Sequence, residues 1–376
     1  MKAEVRSRRE AAKGLEAGDR LDLGERAASH PNQTLATQAL ETMMISESAT
    51  NSPKFWSFVS NRAVLVFTAA TVVSLTVAAV MGAGGFPFDR PAVGTTDRTQ
   101  NIVGQVAQII FALVVIALAF WLTRKRPTVD FDSRTPEKTV ARREAVLLLV
   151  YGTVVLVVGN FFGIGMHLHG AIFGATQDVV PQEVYVWAAY NLVFYAVIPY
   201  LVFRSRGYDH SKMCLTSNNL KSDMLLITAV LVVESIGELS TFPGLFSLTP
   251  SQLAIGMPVT FVLHLIGTGI PVMIFVYALL FPRYVKATGS GATAVVYGAL
   301  TYAWFHIFEY WTVYDTVTNS VMTLIFVFLQ FSFPGLIKSF LTLRTGNAWV
   351  HLWAYHAIAP HVTVDTPVIV RVFGIR

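Results

Sequence analysis

Several stretches of this chain are apolar except for a histidine or a glutamate. Such residues at membrane depth face bundle interiors or water-filled cavities rather than lipid. Glu234 and Glu238 fall in LLITAVLVVESIGELS, His264 in PVTFVLHLIGTGIP, and His306 and Glu309 in TYAWFHIFEYW. Three more histidines, His351, His356 and His361, fall in TGNAWVHLWAYHAIAPH. Imidazoles and carboxylates move protons or bind metals. Spacing decides which of them can act together. Glu234 and Glu238 are four apart, and Tyr302, His306 and Glu309 follow at steps of four and three, so each set shares one face of an α-helix. The last three histidines are five apart, and each such step turns an α-helix by about 140°. At most two of them share a pocket unless Pro360 breaks the helix before His361.

The elements that must position these residues are membrane spans. The chain is 53% hydrophobic and 14% charged, against roughly 25% charged in soluble domains. Mean hydropathy is +0.54. The fold class is therefore all-α, a polytopic transmembrane helix bundle in a lipid bilayer. Nine stretches approach spanning length: 63–82, 102–122, 145–164, 184–203, 223–240, 256–281, 292–310, 320–337 and 346–361. Lys and Arg concentrate in alternate connections, leaving only Arg90, Arg98, Arg371 and Arg376 of the 28 on the other side. The positive-inside rule then places the amino terminus inside and the carboxyl terminus outside. No Lys or Arg falls within a span by this division.

The net charge of +5 is spread over these connections rather than gathered on a folded face, so nucleic acid is not an expected partner. One cysteine, Cys214, excludes an intrachain disulfide and a cysteine-based metal or redox site. The chain divides into a polar, disordered cytoplasmic tail (1–61), three amino-terminal spans (62–183), a carboxy-terminal transmembrane domain (184–362) and an extracytoplasmic tail (363–376).

At ~1.5 Å per residue, Glu234, Glu238, His306 and His356 lie about 16, 22, 21 and 15 Å from the inner ends of their spans. His264 lies about 12 Å below the outer end of its own. Four spans thus bring ionisable groups to similar depth, as a shared cavity requires. A lone membrane histidine has a plainer role as an interhelical hydrogen-bond donor, worth about 0.6 kcal/mol. His351 and His361 are assigned that structural or interfacial role, and Glu238 also suits the outer interface.

The run PGLIKSFLTLRTGNAWVHLWAYHAIAPHV resembles the third motif of the CAAX-protease and bacteriocin-processing (CPBP or Abi) family of intramembrane proteases. Thr345, Gly346, Asn347, Trp349 and His356 carry the likeness. TYAWFHIFE resembles the second motif, with Tyr302 as its aromatic residue and His306 as its histidine. GYDHSKMCLTSNNLKSD (207–223) is similar to the polar loop near the start of that domain. The resemblance covers residues 184–362. It implies an endopeptidase acting on a membrane-associated peptide or protein, in the plasma membrane of a bacterium. Catalytic glutamates are implied as the base, and the histidines as oxyanion donors or metal ligands.

The first motif, Glu-Glu-x-x-x-Arg, is missing. Val272 and Met273 stand in the glutamate positions and Tyr277 in that of the arginine, while Pro360 replaces the polar residue four after His356. The catalytic candidates are His306 and His356, with Glu309, Glu234 and Glu238 as replacements for the lost base. A glutamate mechanism requires no cofactor. A divalent metal or haem would use His264, His306 and His356. Two other readings are a non-proteolytic protein of the same fold, serving in immunity, partner binding or regulation, and a transporter broken at GTGIP (267–271).

Overall fold

The computed structural model describes residues 58–81, 98–166, 179–241, 243–309 and 312–376. The expected polar tail therefore lies outside the described residues, apart from 58–61. The chain is an all-α polytopic helix bundle. Seven helices are long and apolar enough to cross a membrane. They are α1 (Arg62–Met81), α2 (Arg98–Thr123), α3 (Lys138–Phe161), α4 (Pro181–Ser205), α5 (Leu220–Thr241), α6 (Pro250–Thr288) and α8 (Val317–Thr345). Between the last two runs α7 (Gly291–Trp304). After α8 come α9 (348–356) and α10 (Ala359–Val372).

Lipid supplies no hydrogen bonds, so each apolar segment satisfies its backbone internally as helix. Side chains then sort by surroundings. Leu65, Val66 and Val72 of α1 and Leu225, Val232 and Ile236 of α5 point outward. α6 and α8 form the centre, and every residue from Val272 to Leu280 is buried.

Two expected spans take another form. α7 has 14 residues, about 21 Å of helix against a hydrocarbon core of ~30 Å. The 346–361 segment is not one continuous helix, because the chain breaks between His356 and Ala359. Residues 363–372, assigned from sequence to a tail, continue α10, with Val364, Asp365 and Ile369 buried. Arg283 and Lys338 lie inside α6 and α8 and are fully buried, not in connections.

Prolines account for most of the irregular helix. A helical proline lacks an N–H and clashes with the carbonyl four residues earlier. Widened π turns at Leu192–Val197, Leu265–Gly269, Met273–Leu280 and Leu352–His356 precede Pro199, Pro271, Pro282 and Pro360. Each turn contains the residue four before its proline, where the clash falls.

The basic connections are tied to the motif segments. Arg126 pairs with Asp223 at 2.6 Å, and Asp223 also accepts from Ser217 at 2.6 Å and Asn347 at 3.0 Å. Arg134 donates to the Gly346 carbonyl at 2.6 Å. Gly346 closes α8 at φ 61, a left-handed conformation that suits glycine. The Cys214 carbonyl accepts from the Ala348 amide at 2.7 Å. The loop 207–223 therefore clamps the turn that opens α9.

Arg283 pairs with Glu144 of α3 at 2.7 Å, and its guanidinium lies over Phe203 and Tyr208. Removing one partner of such a buried pair leaves an uncompensated charge. Arg283→Met is expected to cost about 3–5 kcal/mol, read as a lower unfolding midpoint in detergent, with part recovered by adding Glu144→Gln. Burial also pushes the Cys214 thiol above its usual range, against a smaller opposing effect of Arg134. A permeant maleimide is expected to leave Cys214 unlabelled at neutral pH until the protein is denatured.

Candidate functional site

The three carboxy-terminal histidines form one row. His351 and His356 are 6.3 Å apart between ring centroids, and His356 and His361 5.1 Å. The α-helical turn of about 140° per step does not apply here. In a π turn the backbone bonds five residues apart, as the Ala357 amide does to the Leu352 carbonyl at 2.7 Å. Residues five apart then stack as those four apart do in an α-helix. Beyond His356 the chain breaks ahead of Pro360, and α10 restarts with His361 on its inward side. His351, expected on a different face, and His361, expected at the interface, both belong to the row.

The row continues into α6. His264 stacks on His361 at 4.8 Å, with Trp187 5.5 Å beyond it. Asp365, one turn after His361, places Oδ2 2.8 Å from His361 Nδ1 and 3.0 Å from His264 Nε2. Among the described residues, His264, His361 and Asp365 form a group whose ligand atoms lie within 4.8 Å of one another. At the other end His351 lies 4.2 Å from the Tyr277 ring.

A branch leads to His306. The Tyr302 ring is 6.1 Å from His356 and 4.7 Å from His306, which stacks on Phe331 at 3.7 Å. The Lys338 ammonium sits 3.6 Å from the Tyr302 ring centroid, a cation–π contact strengthened by desolvation. His264, His306, His351 and His356 are at most 1% exposed and His361 is 6% exposed. The row thus lies in the bundle interior.

Backbone contacts fix two tautomers. His264 Nδ1 faces the Thr260 carbonyl at 3.0 Å, and His306 Nδ1 the Tyr302 carbonyl at 2.6 Å. A carbonyl only accepts, so each Nδ1 carries the proton. In the neutral imidazole, Nε2 is then a lone pair able to accept a proton or bind a metal.

The three glutamates are placed differently. α7 ends at Trp304, so Glu309 does not share a helical face with Tyr302 and His306. It is buried, with its carboxylate against Gly165, where a β-carbon would meet Oε2 at 2.6 Å. Glu234 is buried on α5, within electrostatic reach of Lys338 and Glu238. Glu238 in turn lies within electrostatic reach of Asp365. Val272 and Met273 are buried in the apolar core around α6.

Sequence reasoning missed Asp365 and Lys338 and set His361 aside. The available signal was His361-x-x-x-Asp365, a histidine and a carboxylate one helical turn apart directly after a proline. A groove lined by Asn61, Ala63, Val66, Thr293, Leu300 and Phe328 includes none of the row's residues.

No protein-family model matches the chain, and no curated protein or solved structure matches it.

Close packing holds one end of the row. A β-carbon at Gly267 would fall 2.2 Å from the Trp187 ring that backs His264. Gly267→Ala is expected to displace Trp187 and destabilise the protein by about 1–3 kcal/mol, measured as a reduced unfolding midpoint. Gly104→Ala, where a β-carbon meets open space, is the control.

Proposed function

We propose that this chain is a membrane-embedded hydrolase of the CPBP-like kind, cleaving a membrane-associated peptide or protein with its basic connections on the cytoplasmic side. The observation that carries this reading is the row of buried imidazoles reaching from His306 and His356 to a carboxylate. Interhelical hydrogen bonding, at about 0.6 kcal/mol per contact, gives little reason to bury five histidines together.

The geometry suits a division of labour. His306 Nε2, held as a lone pair by the Tyr302 carbonyl, takes the proton of an attacking water. The water oxygen adds to the amide carbon. An N–H of His356 stabilises the oxyanion. The C–N bond then breaks as the proton passes to the departing nitrogen. The contact of His361 Nδ1 with Asp365 Oδ2 at 2.8 Å fixes the orientation of its ring. Glu234, Glu238 and Glu309 are the nearby carboxylates available to share the base's role.

The test is cleavage of a transmembrane reporter peptide by the full chain in vesicles. His306→Gln and His356→Gln are each expected to lower the rate by about 10²–10⁴-fold, with unchanged elution and unfolding midpoint. Undiminished cleavage in both variants overturns the assignment. Single Glu→Gln changes at 234, 238 and 309 show whether a carboxylate contributes.

A second reading is a non-proteolytic, partner-binding protein of similar fold. It is favoured by Val272 and Met273, apolar and buried where the resemblance calls for glutamates. Retained partner binding by His306→Gln, with no cleavage by the unaltered chain, supports it.

A further inference from the structure

We propose that His264, His361 and Asp365 form a binding site for a first-row divalent transition metal, with zinc as its probe. The group is built from two elements: α6 supplies His264, and α10 supplies His361 and Asp365 one turn apart. His264 Nε2 and His361 Nδ1 converge on the same carboxylate oxygen, at 3.0 and 2.8 Å. Tetrahedral zinc holds nitrogen and oxygen ligands at about 2.0–2.2 Å, which sets them roughly 3.4 Å apart, and the three ligand atoms here all lie within 4.8 Å of one another.

Three observations point to a cation rather than to a purely structural contact. First, the Thr260 carbonyl takes the Nδ1 proton of His264. Neutral His264 therefore aims a lone pair at a carboxylate oxygen, a repulsive arrangement that a cation turns into attraction. An N–H donated to a backbone carbonyl is also the usual orienting contact of a metal-ligating histidine. Second, Asp365 Oδ1 is buried and has no hydrogen-bond partner among the described residues. Third, Glu238 lies close enough to Asp365 for their charges to interact. Neighbouring carboxylates repel each other in a low dielectric, and one divalent ion balances both.

The donor set narrows the ion. Imidazole suits zinc, copper, iron and nickel, whereas magnesium and calcium prefer oxygen alone. Three protein ligands leave a fourth position open, the pattern of catalytic rather than structural zinc. This role rests on the hydrolase reading above. A water there would be acidified by the ion, and the row of rings would link it to His356. Metal binding itself does not depend on that reading.

The experiment uses the full chain purified in detergent, stripped with a chelator and titrated with zinc, followed by elemental analysis and thermal unfolding. The expected result is one zinc retained per chain and a raised unfolding midpoint. Asp365→Asn and His361→Gln are expected to lose both effects, while Asp365→Cys, which keeps an anionic ligand, retains zinc. Cobalt(II) provides a second readout, as its visible spectrum reports tetrahedral nitrogen and oxygen ligation in the unaltered chain. A stripped protein that takes up no zinc, or an Asp365→Asn variant that folds and binds it equally, overturns the proposal. Cleavage that needs Asp365 and survives metal removal overturns the catalytic role of the ion and leaves the hydrolase reading intact, while metal binding stands or falls on the zinc titration alone. Zinc binding without cleavage supports the site and removes the hydrolase reading.

Discussion

The arrangement of this bundle depends on how helical prolines are accommodated. A proline ring clashes with the carbonyl four residues earlier, and ahead of Pro199, Pro271, Pro282 and Pro360 the backbone widens into a π turn, whereas Pro258, Pro334 and Pro367 sit within α-helix. Each widened turn rotates everything beyond it relative to everything before it. In α9 this brings His356 into line with His351, and the break before Pro360 does the same for His361. On α6 one such turn directly follows His264. The polar interior is thus organised by residues with no polar side chain.

Polar pairing settles the rest. Arg283 with Glu144 and Arg126 with Asp223 both lie where water is excluded. Pairing offsets the desolvation of each ion and ties helices distant in sequence. Lys338 is held over Tyr302 instead, within reach of Glu234. The outside is apolar, and the interior combines an apolar core around α6 with these polar contacts.

Much of the fold was legible because lipid imposes simple rules. Runs of Leu, Val, Ile and Phe marked the long helices, and His306, His356 and His264 were found as polar residues within apolar runs. What the sequence hid has a common cause. Estimates of facing assume an unbroken α-helix, which fails wherever a π turn intervenes, hence the different face expected for His351; the one exception allowed, a break at Pro360 before His361, is what the chain adopts. Glu309 was assigned a helical face that ends at Trp304. Asp365 was overlooked because VTVDTPVIV holds an aspartate and a proline and is too short to read as a span. Arg283 and Lys338 were assigned to connections because a buried cation is recognisable only by its partner, and Glu144 and Tyr302 lie far away in sequence.

The break between His356 and Ala359 has a geometric consequence. On one side, α9 is anchored through Asn347 and Ala348 to the loop that holds Asp223. On the other, α10 packs along α6 and carries Asp365. The row of rings therefore crosses a joint between two short helices that both also pack against α5, and the 5.1 Å between His356 and His361 spans that joint. At that joint the alignment of the rings is set by how two helices pack rather than by the run of a single helix.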